Sequence, residues 1–133
     1  MTRLSGRVIR KGVARGAALV SREPISFYGG VDPATGVVIE KGHPIEGRSV
    51  AGRALVMPTG KGSTVGSYVL YRMAKAGMAP VAILCRECDP VVAVGAILAE
   101  IPCVDRLDTG AIPDGATVRV NGEEVLVDES QAQ

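Results

Sequence analysis

The sequence predicts an α/β fold, and three stretches carry the prediction. Between Arg53 and Asp105, apolar runs of strand length alternate with two stretches of helical periodicity. That order is the one expected of parallel strands joined by helical crossovers. Towards the N-terminus, the segments Gly6–Gly12 and Ala14–Ser21 place apolar residues partly in alternation with basic ones, as on a half-buried sheet with a turn near Gly12. Near the C-terminus, Asn121-Gly122 separates two β-branched runs, the strongest short-range hairpin signal.

The totals narrow the classes of function. A chain of 133 residues suits one domain spanning 1–133. Hydrophobic residues make up 47% and aromatic residues only 3%, so the core is expected to be aliphatic. Fifteen basic against 14 acidic side chains leave a net charge of +1, no electrostatic case for nucleic acid or an anionic membrane. No apolar run approaches the ~20 residues of a membrane span, and Met1–Ser5 has no signal-peptide core. Three cysteines, an odd number, argue against a disulfide framework and suit a reducing cytoplasm.

Along the chain, Glu23–Gly36 holds two prolines and three glycines, which disfavour a regular element. It also holds Phe27, the single Phe of the chain, and Tyr28, so it reads as a packed loop. Gly29-Gly30 can present bare N–H groups to a carboxylate or phosphate; a plain turn begun by Asp32-Pro33 accounts for the same residues equally well. Val37–Glu40 is expected to be a short strand, and Lys41–Pro44 a turn. His43, the only histidine, is expected at the surface, without companions for a metal site. The strand Ala54–Met57 then enters a glycine-rich turn, Pro58–Ser67.

A helix follows from about Thr64 to Ala76, with Val65, Val69, Leu70 and Met73 on one face and Ser63 as its N-cap. Lys75 suits its C-terminal dipole and Gly77 its C′ stop. Pro80–Cys85 reads as a buried strand. Pro90–Ala99 reads as a short helix with Asp89 as N-cap and Pro90 at its first position. Ile101–Asp105 is a further strand, Ala116–Val120 and Glu123–Val127 are the hairpin arms, and Asp128–Gln133 is expected to fray.

The turn Gly60-Lys61-Gly62-Ser63 excludes several known motifs. It lacks the Ser or Thr that follows Lys in a P-loop, runs one residue too long for a dinucleotide fingerprint, and is no nucleophile elbow. Its glycines and the helix behind it form an anion-binding turn that bears a serine; taken alone, a serine cap without chemistry explains it as well. Cys85-Arg86-Glu87-Cys88 lies between a strand and a helix start, where a redox dithiol would lie. Cys85 and Cys103 also fit buried strand positions, so structural thiols come first, a dithiol second and cluster ligation third.

The stretch Pro24–Gly36, the pair His43-Pro44 and the run Gly60–Leu70 together resemble the small subunit of the aconitase X family. The likeness spans about Gly6 to Asp105. It implies the swivelling β/β/α domain, counterpart of the mobile last domain of aconitase, here with a C-terminal β-hairpin. It also implies a hydro-lyase (dehydratase) subunit, active only with a large subunit that holds a [4Fe-4S] cluster, with no metal held by this chain. Aconitase has a similar G-x-G-S turn whose serine is the catalytic base, so the resemblance makes Ser63 the proton acceptor. Gly29, Gly30, Lys61, Gly62 and Thr64 become the expected substrate contacts. Within the family, Ser63–Tyr71 resembles the archaeal branch that dehydrates mevalonate 5-phosphate to trans-anhydromevalonate 5-phosphate. The bacterial branch acting on cis-3-hydroxy-L-proline is the alternative. Readings of other classes are a non-catalytic small-anion binding domain and a thiol redox protein built on Cys85 and Cys88.

Overall fold

A computed structural model describes residues 1–129. In chain order its elements are β1 (Thr2–Ser5), β2 (Arg7–Arg10), β3 (Val13–Val20), a single irregular turn α1 (Phe27–Gly30), β4 (Ala54–Met57), α2 (Gly66–Lys75), β5 (Ala82–Cys85), α3 (Pro90–Ala99), β6 (Cys103–Asp105), a 3₁₀ turn (Thr109–Ala111), β7 (Thr117–Asn121) and β8 (Glu124–Asp128). The strands form one mixed sheet in the order β1-β8-β7-β3-β4-β5-β6-β2. β3, β4, β5 and β6 run parallel. β7, β8 and β1 continue antiparallel from β3, and β2 lies antiparallel on β6.

The outermost strands, β1 and β2, are consecutive in the chain with only Gly6 between them. The sheet therefore curls until its two edges almost meet. A Cβ on Gly6 would overlap the carbonyl oxygen of Asp105, so only glycine lets the chain pass there. The Gly6 N–H donates to the carbonyl of Glu123 at 3.0 Å, tying the edge to the C-terminal hairpin.

Strand alternation divides the core in two. Leu55, Met57, Ile83 and Cys85 face α2, α3 and the 22–50 loop, while Ala54, Val56, Ala82 and Leu84 face the enclosed side of the curled sheet with Val118, Val120, Val125 and Val127. Two β layers and one helical layer result. Covering both faces is what makes β4 and β5 continuous apolar runs.

α2 buries Val69, Leu70 and Met73. Its end is a Schellman motif: the Met78 N–H reaches the Met73 carbonyl at 2.8 Å and the Gly77 N–H the Ala74 carbonyl at 3.2 Å, with Gly77 at φ +73°. α3 starts where the sequence places it, with Asp89 accepting from the N–H groups of Val91 and Val92 and Pro90 at the first position. Gly95 lets the helices close: a Cβ there would stand 2.6 Å from Leu70 Cδ1.

Several expectations need correction. Val37–Glu40 is not a strand; it has only isolated bridges, Val37 to Ser49 and Val31 to Val38, because Gly36 and Gly47 turn the chain away at positive φ before a ladder can grow. Met1–Ser5 contributes β1, which the sequence did not announce. The two strands flanking Gly12 form but do not pair with each other: β2 goes to β6, and β3 to β4 and β7. In the hairpin Asn121 is still paired, to Glu124, so the loop is Gly122-Glu123, one residue later than expected. Asp128 belongs to β8, and Glu129 accepts from the Thr2 hydroxyl, instead of forming a frayed tail; the rest of that expectation, residues 130–133, lies outside the described residues. Val65, expected on the buried face of α2, is 44% exposed because the helix proper begins after it.

Candidate active site

The loop that follows β4 is held from below. Gly60 bridges to Ile25, and its N–H donates to Asp89 Oδ1 at 3.0 Å. A Cβ at Gly60 would run into that carboxylate. One residue on, the Lys61 N–H donates to the Ile25 carbonyl at 3.0 Å. Gly62 then turns at φ +96°, where a Cβ would collide with Ser26 Oγ. Two constraints, steric and conformational, therefore require glycine at 62.

Ser63 comes next, exposed. Its carbonyl accepts from the Gly66 N–H at 2.9 Å, and its Oγ accepts from the Val65 N–H at 3.2 Å. The N-cap of α2 is Val65, which has no side-chain cap. The expectation that Ser63 caps the helix is thus corrected. Three i→i+3 bonds, from Gly66, Ser67 and Tyr68 back to Ser63, Thr64 and Val65, form a tighter lead-in turn, and Ser63 caps that turn. The N–H groups of Gly62, Ser63 and Thr64 donate no hydrogen bond among the described residues. They lie next to one another in the turn that carries an exposed hydroxyl, which already receives the Val65 N–H, just before the positive end of a ten-residue helix. Such a place tolerates a bound anion or an ionised serine oxygen.

The Gly29-Gly30 loop packs against this turn. Phe27 is buried and anchors it, and Ser26 Oγ donates to the Tyr28 carbonyl at 3.0 Å beside Gly62. The two glycines differ. Gly29 is exposed at φ +82° with open space where a side chain would go, whereas Gly30 is buried and its carbonyl accepts from the Ile39 N–H at 2.9 Å. Lys61, expected to meet substrate, pairs with Glu40 at 3.0 Å and so links the turn to the loop. His43 is corrected from the surface to the interior, at 6% exposure. Its Nε2 donates to the Pro24 carbonyl at 3.0 Å and its Nδ1 accepts from the Ile45 N–H at 3.3 Å, which fixes the tautomer and ties two loops behind the site. All six expected site residues therefore gather in one region.

Sequence reasoning missed Ser26 and Glu40, and saw Asp89 only as a helix cap. The spacing of these residues carries no local signal, because their contacts cross 21 to 36 positions of chain. It also left Arg7 as one of the basic residues alternating along Gly6–Gly12, with no partner named. Arg7 instead forms a two-point ion pair with the fully buried Asp105, at 2.9 and 2.8 Å. Burial opposes the Asp105 charge, but Arg7 and the Cys88 N–H together hold its carboxyl below the usual carboxylate range.

Beside that pair the three cysteines meet. Cys85 and Cys103 are buried and Cys88 is half-buried, with Cys88 Sγ 3.9 Å from Cys103 Sγ. Hydrogen bonds from Cys103 and then Cys85 pull the Cys88 thiol down to about 4, while the same bonds and burial push the other two up. Among the described residues no group of three or more His, Cys, Asp or Glu side chains is placed to hold a metal ion.

The rim of the Ser63 turn is apolar and open. Tyr28, Val65 and Tyr68 are 55%, 44% and 64% exposed. No helix among the described residues is long and apolar enough to cross a membrane.

The same fold occurs in known proteins. The chain is 53% identical to the phosphomevalonate dehydratase small subunit of Methanosarcina acetivorans, over 95% of this chain and 90% of that one. It is 52% identical to the protein of the same name from Thermococcus sibiricus, over 96% and 99%. The crystal structure of Thermococcus kodakaraensis aconitase X in its holo-form superposes with a TM-score of 0.93 at 48% identity, covering 96% of this chain and 98% of that one. Residues 3–128 match the family described as the aconitase X swivel domain, and this chain belongs to that family.

Proposed function

We propose that this chain is the small subunit of a cytoplasmic phosphomevalonate dehydratase, a hydro-lyase that works only with a large subunit. The observation that carries the reading is identity of about half the residues, along nearly the whole chain, with several proteins of that name. In this reading mevalonate 5-phosphate loses water to give trans-anhydromevalonate 5-phosphate in isoprenoid synthesis. The ionised Ser63 oxygen takes a proton from C2, beside the carboxylate, and the C–H electron pair forms the double bond to C3. Hydroxide leaves C3 and takes a proton from solvent to become water; Ser63 then returns its own proton to solvent. A [4Fe-4S] cluster, assigned to the large subunit, supplies Lewis-acid assistance to that departure.

This chain's own share is to make the serine a base. The Val65 N–H and the α2 end stabilise the Ser63 oxygen anion. The free N–H groups of Gly62 and Thr64 and the exposed backbone at Gly29 bind an anionic end of the substrate. Gly30 positions Gly29. Lys61 reaches the substrate by exchanging its Glu40 partner for the incoming anion. The open rim formed by Tyr28, Val65 and Tyr68 is the part of this surface that the large subunit roofs over, which excludes water from the reacting serine.

The test is anaerobic co-expression with the large subunit, followed by assays of mevalonate 5-phosphate and cis-3-hydroxy-L-proline side by side. Turnover of the first substrate is expected. Turnover of the second alone moves the chain to the bacterial branch, and turnover of neither by an iron-loaded complex leaves an anion-binding domain.

A further inference from the structure

We propose that Cys88 and Cys103 are a reversible redox pair, and that closing their disulfide loosens the support beneath the Ser63 turn. The sequence spacing draws attention to Cys85 and Cys88, but the sulfur that Cys88 approaches at 3.9 Å is that of Cys103, 15 positions away. Cys103 is fully buried in β6, paired on one side with Ile83 and on the other with Arg10. It cannot meet a reagent first. Cys88 is half-buried in the loop between β5 and α3, and so is the attacking thiol. Its lowered pKa favours the thiolate.

The oxidant required is a small organic disulfide. The Cys88 thiolate attacks one of its sulfurs, a mixed disulfide forms and one thiolate leaves. That thiolate accepts the Cys103 proton. The Cys103 sulfur then attacks the Cys88 sulfur, and the second thiolate leaves, taking up the proton that Cys88 had given to solvent. Two cysteine thiols are oxidised and one small disulfide is reduced to two thiols.

Bond formation requires the sulfurs to close from 3.9 Å to about 2.0 Å. Cys103 is held by strands on both sides, so the movement falls on Cys88. The next residue is Asp89, whose carboxylate receives the Gly60 N–H as well as two N–H groups of α3. Displacing it withdraws the hydrogen bond beneath the turn three residues before Ser63. The Cys88 N–H bond to Asp105, at 2.9 Å, lies in the same path. The link to turnover rests on the dehydratase reading; the disulfide itself does not.

The proof is a peptide map. Trypsin cuts after Arg86 and Arg106 and nowhere between, so Cys88 and Cys103 share one peptide, while Cys85 lies in the one before it. The full chain is equilibrated with glutathione disulfide and its remaining thiols are alkylated. The expected product is a looped Glu87–Arg106 peptide lighter by two hydrogens, with Cys85 alkylated. The loop persists in Cys85→Ser and is absent from Cys88→Ser and Cys103→Ser. A cross-link between the two peptides, a stable glutathione adduct on Cys88 alone, or three alkylated thiols each overturns the proposal. The oxidised chain is then combined with the large subunit. A several-fold loss of dehydratase rate that dithiothreitol restores is expected, and an unchanged rate overturns the coupling to the turn. If the reduced complex also fails to turn over mevalonate 5-phosphate, the enzyme reading has failed while the map still decides the disulfide.

Discussion

At the scale of single residues, the Ser63 hydroxyl stays available because its neighbours absorb the demands of the turn. Gly62 takes the positive φ, and Gly60 takes the hydrogen bond to Asp89. Ser63 itself needs only a local bond from the Val65 N–H. Replacing Ser63 by Ala should therefore spare the fold. Its stability should change by less than about 1 kcal/mol, while the dehydratase rate of the assembled enzyme falls by about 10²–10⁴-fold, the usual share of a general base. Steady-state kinetics beside a thermal melt separates the two, and near-normal turnover removes Ser63 from the chemistry. Gly62→Ala should do the opposite. It must adopt a left-handed conformation and push Ser26 aside, at a cost of about 1–2 kcal/mol, and it should lower turnover by misaiming the serine. Adding Ser26→Ala should relieve the collision but not the φ, so urea midpoints should recover only in part.

The glycine-rich, exposed turn and the positive φ at Gly62 were legible in the sequence, since both are local chemistry; the crowding of Gly60 by Asp89 was not. Glu40 beneath Lys61 and Ser26 beneath Gly62 were not, because folding alone brings positions 21 and 36 residues apart together. His43 was misplaced for the same reason: its polar, proline-flanked surroundings in sequence are replaced by two backbone partners in space.

Among elements, the two helices show what local signals can and cannot do. The Asp89 cap with Pro90, and the Gly77 stop, were placed correctly from sequence because each is a bond within a few residues. Val37–Glu40 failed as a strand because a strand needs a partner, and its apolar residues were spent on the loop core at Val38 instead. Asp89 also does two jobs, and that predicts a contrast. Asp89→Ala removes the α3 cap and the Gly60 anchor together; it should cost about 1–2 kcal/mol and reduce kcat. Gly77→Ala puts a side chain at φ +73° far along α2; it should cost about 1 kcal/mol and leave kcat intact in the fraction that folds. Equal kcat losses in the two variants would separate the Asp89–Gly60 bond from catalysis.

For the whole molecule, the sheet owes its closure to its edges. β2 holds to β6 through backbone pairing and through Arg7 on Asp105, and Asp105 also receives the Cys88 N–H from the loop that leads to α3. One buried carboxylate thus joins the edge strand, the parallel sheet and the helix layer. The sequence made this unreadable, because Arg7 looks like any basic residue on an outer strand until β6 is placed beside it. Surface features follow the same logic of scale. Tyr68 leans on little within the chain, so Tyr68→Glu should leave the melt of the free subunit unchanged while weakening co-purification with the large subunit.

Acid makes the sharper test of the molecule as a whole. The folded chain holds the Asp105 carboxyl below its ordinary value, so at mildly acid pH the unfolded chain binds a proton that the folded chain refuses. The stability this contributes is complete above about pH 4, the unfolded value, and is lost as the pH falls through the lower folded value. Asp105→Asn should cost about 2 kcal/mol at neutral pH, the scale of hydrogen bonds to a charged group, measured by urea unfolding. Its stability should then decline less than that of the unmodified chain between about pH 4 and pH 2. Parallel acid profiles for the two would mean that Asp105 titrates alike folded and unfolded, and the joint between strand edge and helix layer would have to lie elsewhere.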